Sequence, residues 1–200
     1  TVLSKYPITN YYRYKMDTKD PRYDMLVDSV RNIGNEIQNW PFIFSMDIEM
    51  PQGRVRVINV HLRSNAYSTA RRAMKEDAPW IDGIEEYYNY TKYGYMVRGV
   101  QADMIRNELD SLSQDMPTLV VGDFNDINGS YAVERIKGDR LNDAWWTNGF
   151  GLGTTYDSWH LKLRLDHILY SKEFEIQDIK VLNDFRHSDH LPVKAVVKWK

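Results

Sequence analysis

The 200 residues contain no cysteine. That excludes disulfides, thiolate nucleophiles and zinc–thiolate centres, and leaves carboxylates and five histidines as the candidate chemistry. No apolar run reaches the roughly 18 residues that a membrane-spanning helix needs. The opening Thr1–Lys5 also lacks the basic-then-apolar layout of a signal peptide. An excess of one charge is missing as well: 26 Lys and Arg face 28 Asp and Glu, for a net charge of −2. A protein that coats nucleic acid through a global positive field is thereby excluded, while a local basic groove is not. Nothing in the sequence marks a cellular location.

What is present fits one globular domain over residues 1–200, since 42% hydrophobic and 13% aromatic content can fill a core. Phe42, Phe44, Met46, Ile48 and Met50 fall at every second position, the period of a half-buried strand. Pro51-Gln52-Gly53 supplies a turn, so Arg54 to Leu62 is predicted as the partner strand of a hairpin. Helices are predicted from Asp20-Pro21 to about Ile37, from Arg71 to Trp80, and from Val97 to Gln114, the last on the stripe Val97, Val100, Met104, Ile105, Leu109 and Leu112. The Tyr-rich stretch from Ile84 to Gly94 shows no clean period. Thr118 to Val121 reads as a strand covered on both faces, Tyr131 to Ile136 as a short helix, and Leu165 to Tyr170 and Val193 to Trp199 as further strands. Strands mixed with helices, without a regular βαβ rhythm, point to an α+β sandwich.

Four segments share one design, in which an apolar strand ends and a carboxylate, amide or imidazole follows at once. They are Ile58-Asn59-Val60-His61, Val120-Val121-Gly122-Asp123-Phe124-Asn125, Arg164-Leu165-Asp166-His167 and His187-Ser188-Asp189-His190-Leu191-Pro192. Strand ends in a rigid sheet can aim polar groups at one point without burying unsatisfied backbone. A set of Asp, Asn and His suits phosphoester hydrolysis: a hard cation takes oxygen ligands, and an Asp-oriented imidazole can take a proton from attacking water. Each segment alone also has a structural reading. Asp189-His190-Leu191-Pro192 can be a turn into the last strand, His61 a satisfied strand histidine, and Asp166 a partner of Arg164 or Lys162. His167, next to Asp166, is expected on the opposite strand face and is left out of the site.

In order and spacing, these segments resemble the later motifs of the endonuclease/exonuclease/phosphatase superfamily, and Leu3-Ser4-Lys5-Tyr6-Pro7-Ile8 resembles an earlier strand and turn of that family. The resemblance implies a deoxyribonuclease-I-like fold, a four-layer α/β/β/α sandwich represented in part. It also implies a Mg²⁺- or Mn²⁺-dependent hydrolase. In that scheme Asp123 and Asn125 bind and orient water and phosphate, Asp166 orients His190, and His190 is the general base. Asp189 sits on the metal side, His61 contacts the scissile phosphate, and Ser188 only supports. The family's Asn motif and its Glu motif, the principal Mg²⁺ ligand, are expected ahead of Leu3, so the 200 residues are expected to be an N-terminally truncated domain with weak metal binding and little activity alone. The partner implied is a phosphoester substrate, with a nucleic acid or a phospholipid headgroup both open and a phosphodiesterase or nuclease ahead of a phosphomonoesterase. A non-catalytic binding module on the same scaffold is the alternative, and no protein partner is expected. Tyr87, Tyr88, Tyr90, Tyr93 and Tyr95, with Arg63, Arg71, Arg72 and Lys75, form either an aromatic and basic rim or ordinary packing. Trp145, Trp146, Phe150 and Trp159 are read as core residues, with a pocket wall or lipid-inserting loop as the alternative.

Overall fold

The computed structural model describes residues 2–14, 22, 42–64, 80–158, 161–185 and 187–200. The helix expected from Asp20 to Ile37 and most of the one expected from Arg71 to Trp80 lie outside them. Ten strands and three helices are formed by the described residues. The main sheet contains β1 (Ile8–Arg13), β2 (Phe42–Met50), β3 (Gly53–His61), β4 (Thr118–Asp123), β5 (Leu141–Asp143) and β8 (Asp166–Ser171), in the order β1-β2-β3-β4-β8-β5. Only β3 and β4 run parallel in it, joined by helix α1 (Trp80–Ser111) as a crossover. Two further antiparallel pairs are formed among the described residues: β6 (Tyr156–Ser158) with β7 (Leu161–Leu163), and β9 (Phe174–Val181) with β10 (Val193–Trp199).

Side-chain alternation assigns each face of the main sheet to a layer. Ile43, Ile58, Val60, Val120 and Leu169 pack against Ala102, Ile105 and Leu109 of α1 and Ala132, Val133 and Ile136 of α2 (Tyr131–Lys137). Met46, Val55, Val57 and Tyr170 point the other way, onto Phe174, Ile176 and Ile179 of β9 and the partly buried Val193, Ala195, Val197 and Trp199 of β10. The result is the mixed α+β sandwich, seen as a helical layer and two sheet layers among the described residues. No helix among them is long and apolar enough to cross a membrane.

Three expectations need correction. Strand β2 is covered on both faces: Ser45 and Asp47 are buried on the helix side, tied to Arg56 and to Glu108 of α1. Polar residues on alternate positions were read as a solvated face because a buried ion network has the same period as an exposed one. Helix α1 begins at Trp80, so the Tyr-rich stretch belongs to it, and it ends at Ser111 before Pro117. Tyrosine can pack its ring and keep its hydroxyl wet, which blurs the apolar period: Tyr93 is buried while Tyr88 and Tyr95 are exposed. Finally, Trp145 is core but Trp146 and Phe150 are not, being 71% and 96% exposed. Trp145 donates from Nε1 to Gly151 O at 3.0 Å and anchors the glycine-rich loop from which Phe150 projects. Trp159 lies outside the described residues.

Candidate active site

The site forms where β3, β4 and β8 end together. Parallel pairing sets His61 beside Asp123, and antiparallel pairing sets Asp123 beside Asp166. All three lie at positions that alternate onto the β9–β10 side of the sheet, whereas His167, one residue on, lies on the helix side and is buried there, as its omission required. Gly122 is obligatory at this junction: its φ is +131° and a Cβ would stand 2.0 Å from Val60 O, inside the β3–β4 contact. Leu62 N donates to Asp123 O at 2.8 Å and Phe124 N to Leu165 O at 2.9 Å, so the end of β4 is fixed from both flanks.

His190 arrives from the loop before β10. Thr155, fully buried, sets its position by a set of backbone ties: Leu191 N donates to Thr155 O at 2.7 Å, and Thr155 Oγ1 accepts from Leu165 N and Asp166 N, both at 3.1 Å. Tyr156 pairs with His190 in an isolated bridge and sets its ring, tilted by 56°, 5.2 Å from the imidazole. His190 Nδ1 then meets Asp166 Oδ2 at 2.8 Å, and His190 Nε2 faces Asp123 Oδ2 at 3.9 Å. A carboxylate can only accept, so Nδ1 carries the proton and Nε2 turns its lone pair to the site when the ring is neutral.

Asn125 stands at φ 49°, a left-handed conformation that asparagine tolerates. Its backbone N–H donates to Asp123 Oδ1 at 2.8 Å, and its Nδ2 donates to Asp123 Oδ2 and Leu62 O, both at 3.0 Å. His61 is exposed, with Nε2 at 3.6 Å from Asp123 Oδ2. Asp123, Asn125, Asp166, His190 and His61 are therefore brought together. Asp189, expected on the metal side, is exposed and accepts from Ser188 Oγ at 3.3 Å; Ser188 Oγ itself accepts from His190 N at 3.1 Å.

Electrostatics mark the same groups. Burial, then the neighbouring Asp166, pushes the Asp123 carboxyl above the usual carboxylate range, against the Asn125 N–H and the two imidazoles. The hydrogen bond to Asp166 raises His190, against burial, and the charges of Asp166, Asp123 and Asp189 add to the rise. Ligand atoms of Asp123, Asp166 and His190 lie within 4.8 Å of one another. Two carboxylates this close, one of them pushed up by the other, fit a hard cation. Asp189 is not part of this triplet.

Behind the site, Arg164 pairs not with Asp166 but with Asp143, through two 2.9 Å hydrogen bonds. Asp143 caps the helix α3 (Ala144–Asn148), and its carboxyl is held well below the usual range: burial would raise it, but the nearby His167 ring, Nδ1 3.5 Å from Oδ2, and the Arg164 guanidinium prevail. Lys162 pairs with Asp157 instead. Asp143, Thr155 and Tyr156 were missed from the sequence, because they lie in or beside three-residue strands too short to show a period, and only the fold shows what each holds.

The chain belongs to the endonuclease/exonuclease/phosphatase family, whose model matches residues 1–190. Among solved structures it resembles an endonuclease/exonuclease/phosphatase from Beutenbergia cavernae, with 18% identity over 98% of this chain and 46% of that one and a TM-score of 0.59. It also resembles the mannosyl-6-phosphatase of Bacteroides thetaiotaomicron, with 16% identity, 78% and 57% coverage and a TM-score of 0.54. The human Nocturnin catalytic domain, solved with a bound sulfate anion, gives 16% identity, 80% and 54% coverage and a TM-score of 0.53. At these identities the likeness is one of fold, and the chain spans between 46% and 57% of those three lengths. No curated protein sequence matches it.

Proposed function

We propose that this chain carries the general base of a divalent-metal-dependent phosphoester hydrolase, with phosphodiesters, nucleic acids among them, ahead of phosphomonoesters. The observation that supports it is the 2.8 Å contact between His190 Nδ1 and Asp166 Oδ2, with Nε2 turned toward Asp123. In this reading Asp166 fixes the imidazole tautomer and stabilises the imidazolium that forms when His190 Nε2 takes a proton from the attacking water. Asp123, held by Asn125, positions that water or the phosphate opposite His190. His61, exposed and beside Asp123, is placed to donate to a phosphoryl oxygen. Asp123 and Asp166 would hold the cation, with Asp189 nearby adding negative charge; when bound, the cation would neutralise charge on the phosphoryl oxygens. Phosphomonoesters of inositol or lipids remain the second reading, since the shared site chemistry serves both.

The test is hydrolysis by the complete natural protein, with Mg²⁺ or Mn²⁺, of plasmid DNA, an abasic duplex, inositol phosphates and sphingomyelin. Turnover of at least one is expected, and His190→Ala should lower kcat about 1,000-fold on the best substrate. A variant that keeps the wild-type rate would remove His190 from the role of base.

A further inference from the structure

Two of the strand ends that carry site residues run on into short segments, Leu62–Arg63 after His61 and Asn125–Asp126 after Asp123. On the site side Asn125 Nδ2 donates to Leu62 O at 3.0 Å. On the opposite side each segment is held by the same side chain. Arg98, from the middle of α1, is completely buried; its Nε donates to Asp126 Oδ2 at 2.9 Å and one terminal nitrogen donates to Arg63 O at 2.7 Å. The guanidinium also lies 4.6 Å from the Tyr95 ring centre. One helical turn on, the equally buried Gln101 accepts from Arg63 N at 3.0 Å. Asp126 is fixed further by His167, whose Nε2 donates to Asp126 O at 3.0 Å.

Burying a guanidinium costs a large desolvation, and helix α1 has ample apolar residues with which to fill the same space. What a planar cation with several fixed donors does, and an apolar side chain cannot, is hold two segments at a set distance. The segments held directly continue the strands that end in His61 and Asp123, and one of them contains Asn125, which is in a left-handed conformation that its surroundings must sustain.

We propose that Arg98 is a positioning residue of the site: with Asp126 as its counter-ion, it sets the spacing of the Leu62–Arg63 and Asn125–Asp126 segments, and so the placement of Asn125 and His61 against Asp123. It is too deeply buried to touch substrate. The activity arm of the test rests on the function proposed above; the placement arm does not.

Arg98→Met, Asp126→Asn and the double variant are made in the complete natural protein. Thermal midpoint, kcat and KM on the fastest phosphoester, and the ¹H–¹⁵N signals of the Asn125 side-chain amide are then measured. Arg98→Met alone is expected to lose both stability and turnover, because Asp126 is left buried without its partner. The double variant removes both charges and is expected to regain most of the thermal midpoint, while kcat stays about 100-fold below wild type with KM changed far less. Its Asn125 amide signals are expected to move toward those of a free amide. Recovery of kcat in step with the thermal midpoint, or unchanged Asn125 signals, would overturn the proposal and leave Arg98 a structural ion. If wild-type protein turns over no phosphoester, the functional reading fails, and the amide signals still decide the role of Arg98.

Discussion

The two ends of strand β3 carry polar clusters of opposite kinds. At the end near Arg56, Asp47 and Glu108 share one guanidinium: Arg56 donates from Nε to Asp47 Oδ1 at 2.6 Å and from a terminal nitrogen to Glu108 Oε1 at 2.7 Å and Ser45 Oγ at 3.2 Å. Asn10 adds a 2.7 Å hydrogen bond to the second oxygen of Asp47. Five residues along, roughly 17 Å away at strand rise, Asp123 and Asp166 stand together with histidines in place of an arginine. The first cluster supplies its own countercharge and is sealed beneath α1. The second leaves like charges facing each other at a partly open strand end, a cost that stability alone does not repay. The first cluster is closed off by its own arginine, whereas the second sets two carboxylates and two imidazoles at a partly open strand end.

Substitution at the far end should give the largest stability effect. Arg56→Ala leaves Asp47 buried without its main partner and is expected to cost about 3 kcal/mol or more in denaturant unfolding, while the folded fraction keeps wild-type kcat. A loss of kcat with no change in stability would reverse the assignment of the two ends. Cation binding should discriminate them next. Mg²⁺ or Mn²⁺ is expected to raise the thermal midpoint of wild-type protein; Asp123→Asn should abolish that rise, and Asp47→Asn should leave it in place. The smallest effect concerns pH. Burial pushes Glu108 up to about 7 from 4.5 even with Arg56 beside it. The folded protein thus keeps that proton where the unfolded chain releases it, and stability falls as pH rises from about 4.5 to about 7. Glu108→Gln should flatten the fall in urea melts taken across that window; a variant with an unchanged slope would show that another group is responsible.

The sequence and the structure agree best where strand ends and side-chain chemistry coincide. Asp123, Asn125, Asp166 and His190 were readable because short motifs fix a polar group within one or two residues of an apolar run, and the β2–β3 hairpin because its period and turn chemistry concur. Strand β9 and the three-residue strands β5, β6 and β7 were not anticipated; three residues give too few positions for any period to show. The buried polar groups were harder still. Arg98 and Gln101 on α1, and Ser45 and Asp47 on β2, are polar residue types that sequence reading assigns to solvent, and only the partner strand or loop shows that each is covered. Phe150 is the reverse case, an apolar residue read as core that stands in solvent because Trp145 takes the core place beneath its loop.

In the proposed function Asp166 holds the His190 imidazole by Nδ1, at 2.8 Å, and keeps Nε2 ready as a base. A ¹H–¹⁵N titration of the histidine rings tests this without any knowledge of the substrate. His190 is expected to carry its neutral-form proton on Nδ1 and to titrate above the ordinary histidine range, with both features lost in Asp166→Asn. A His190 that titrates like a free histidine and is indifferent to Asp166→Asn would contradict the account.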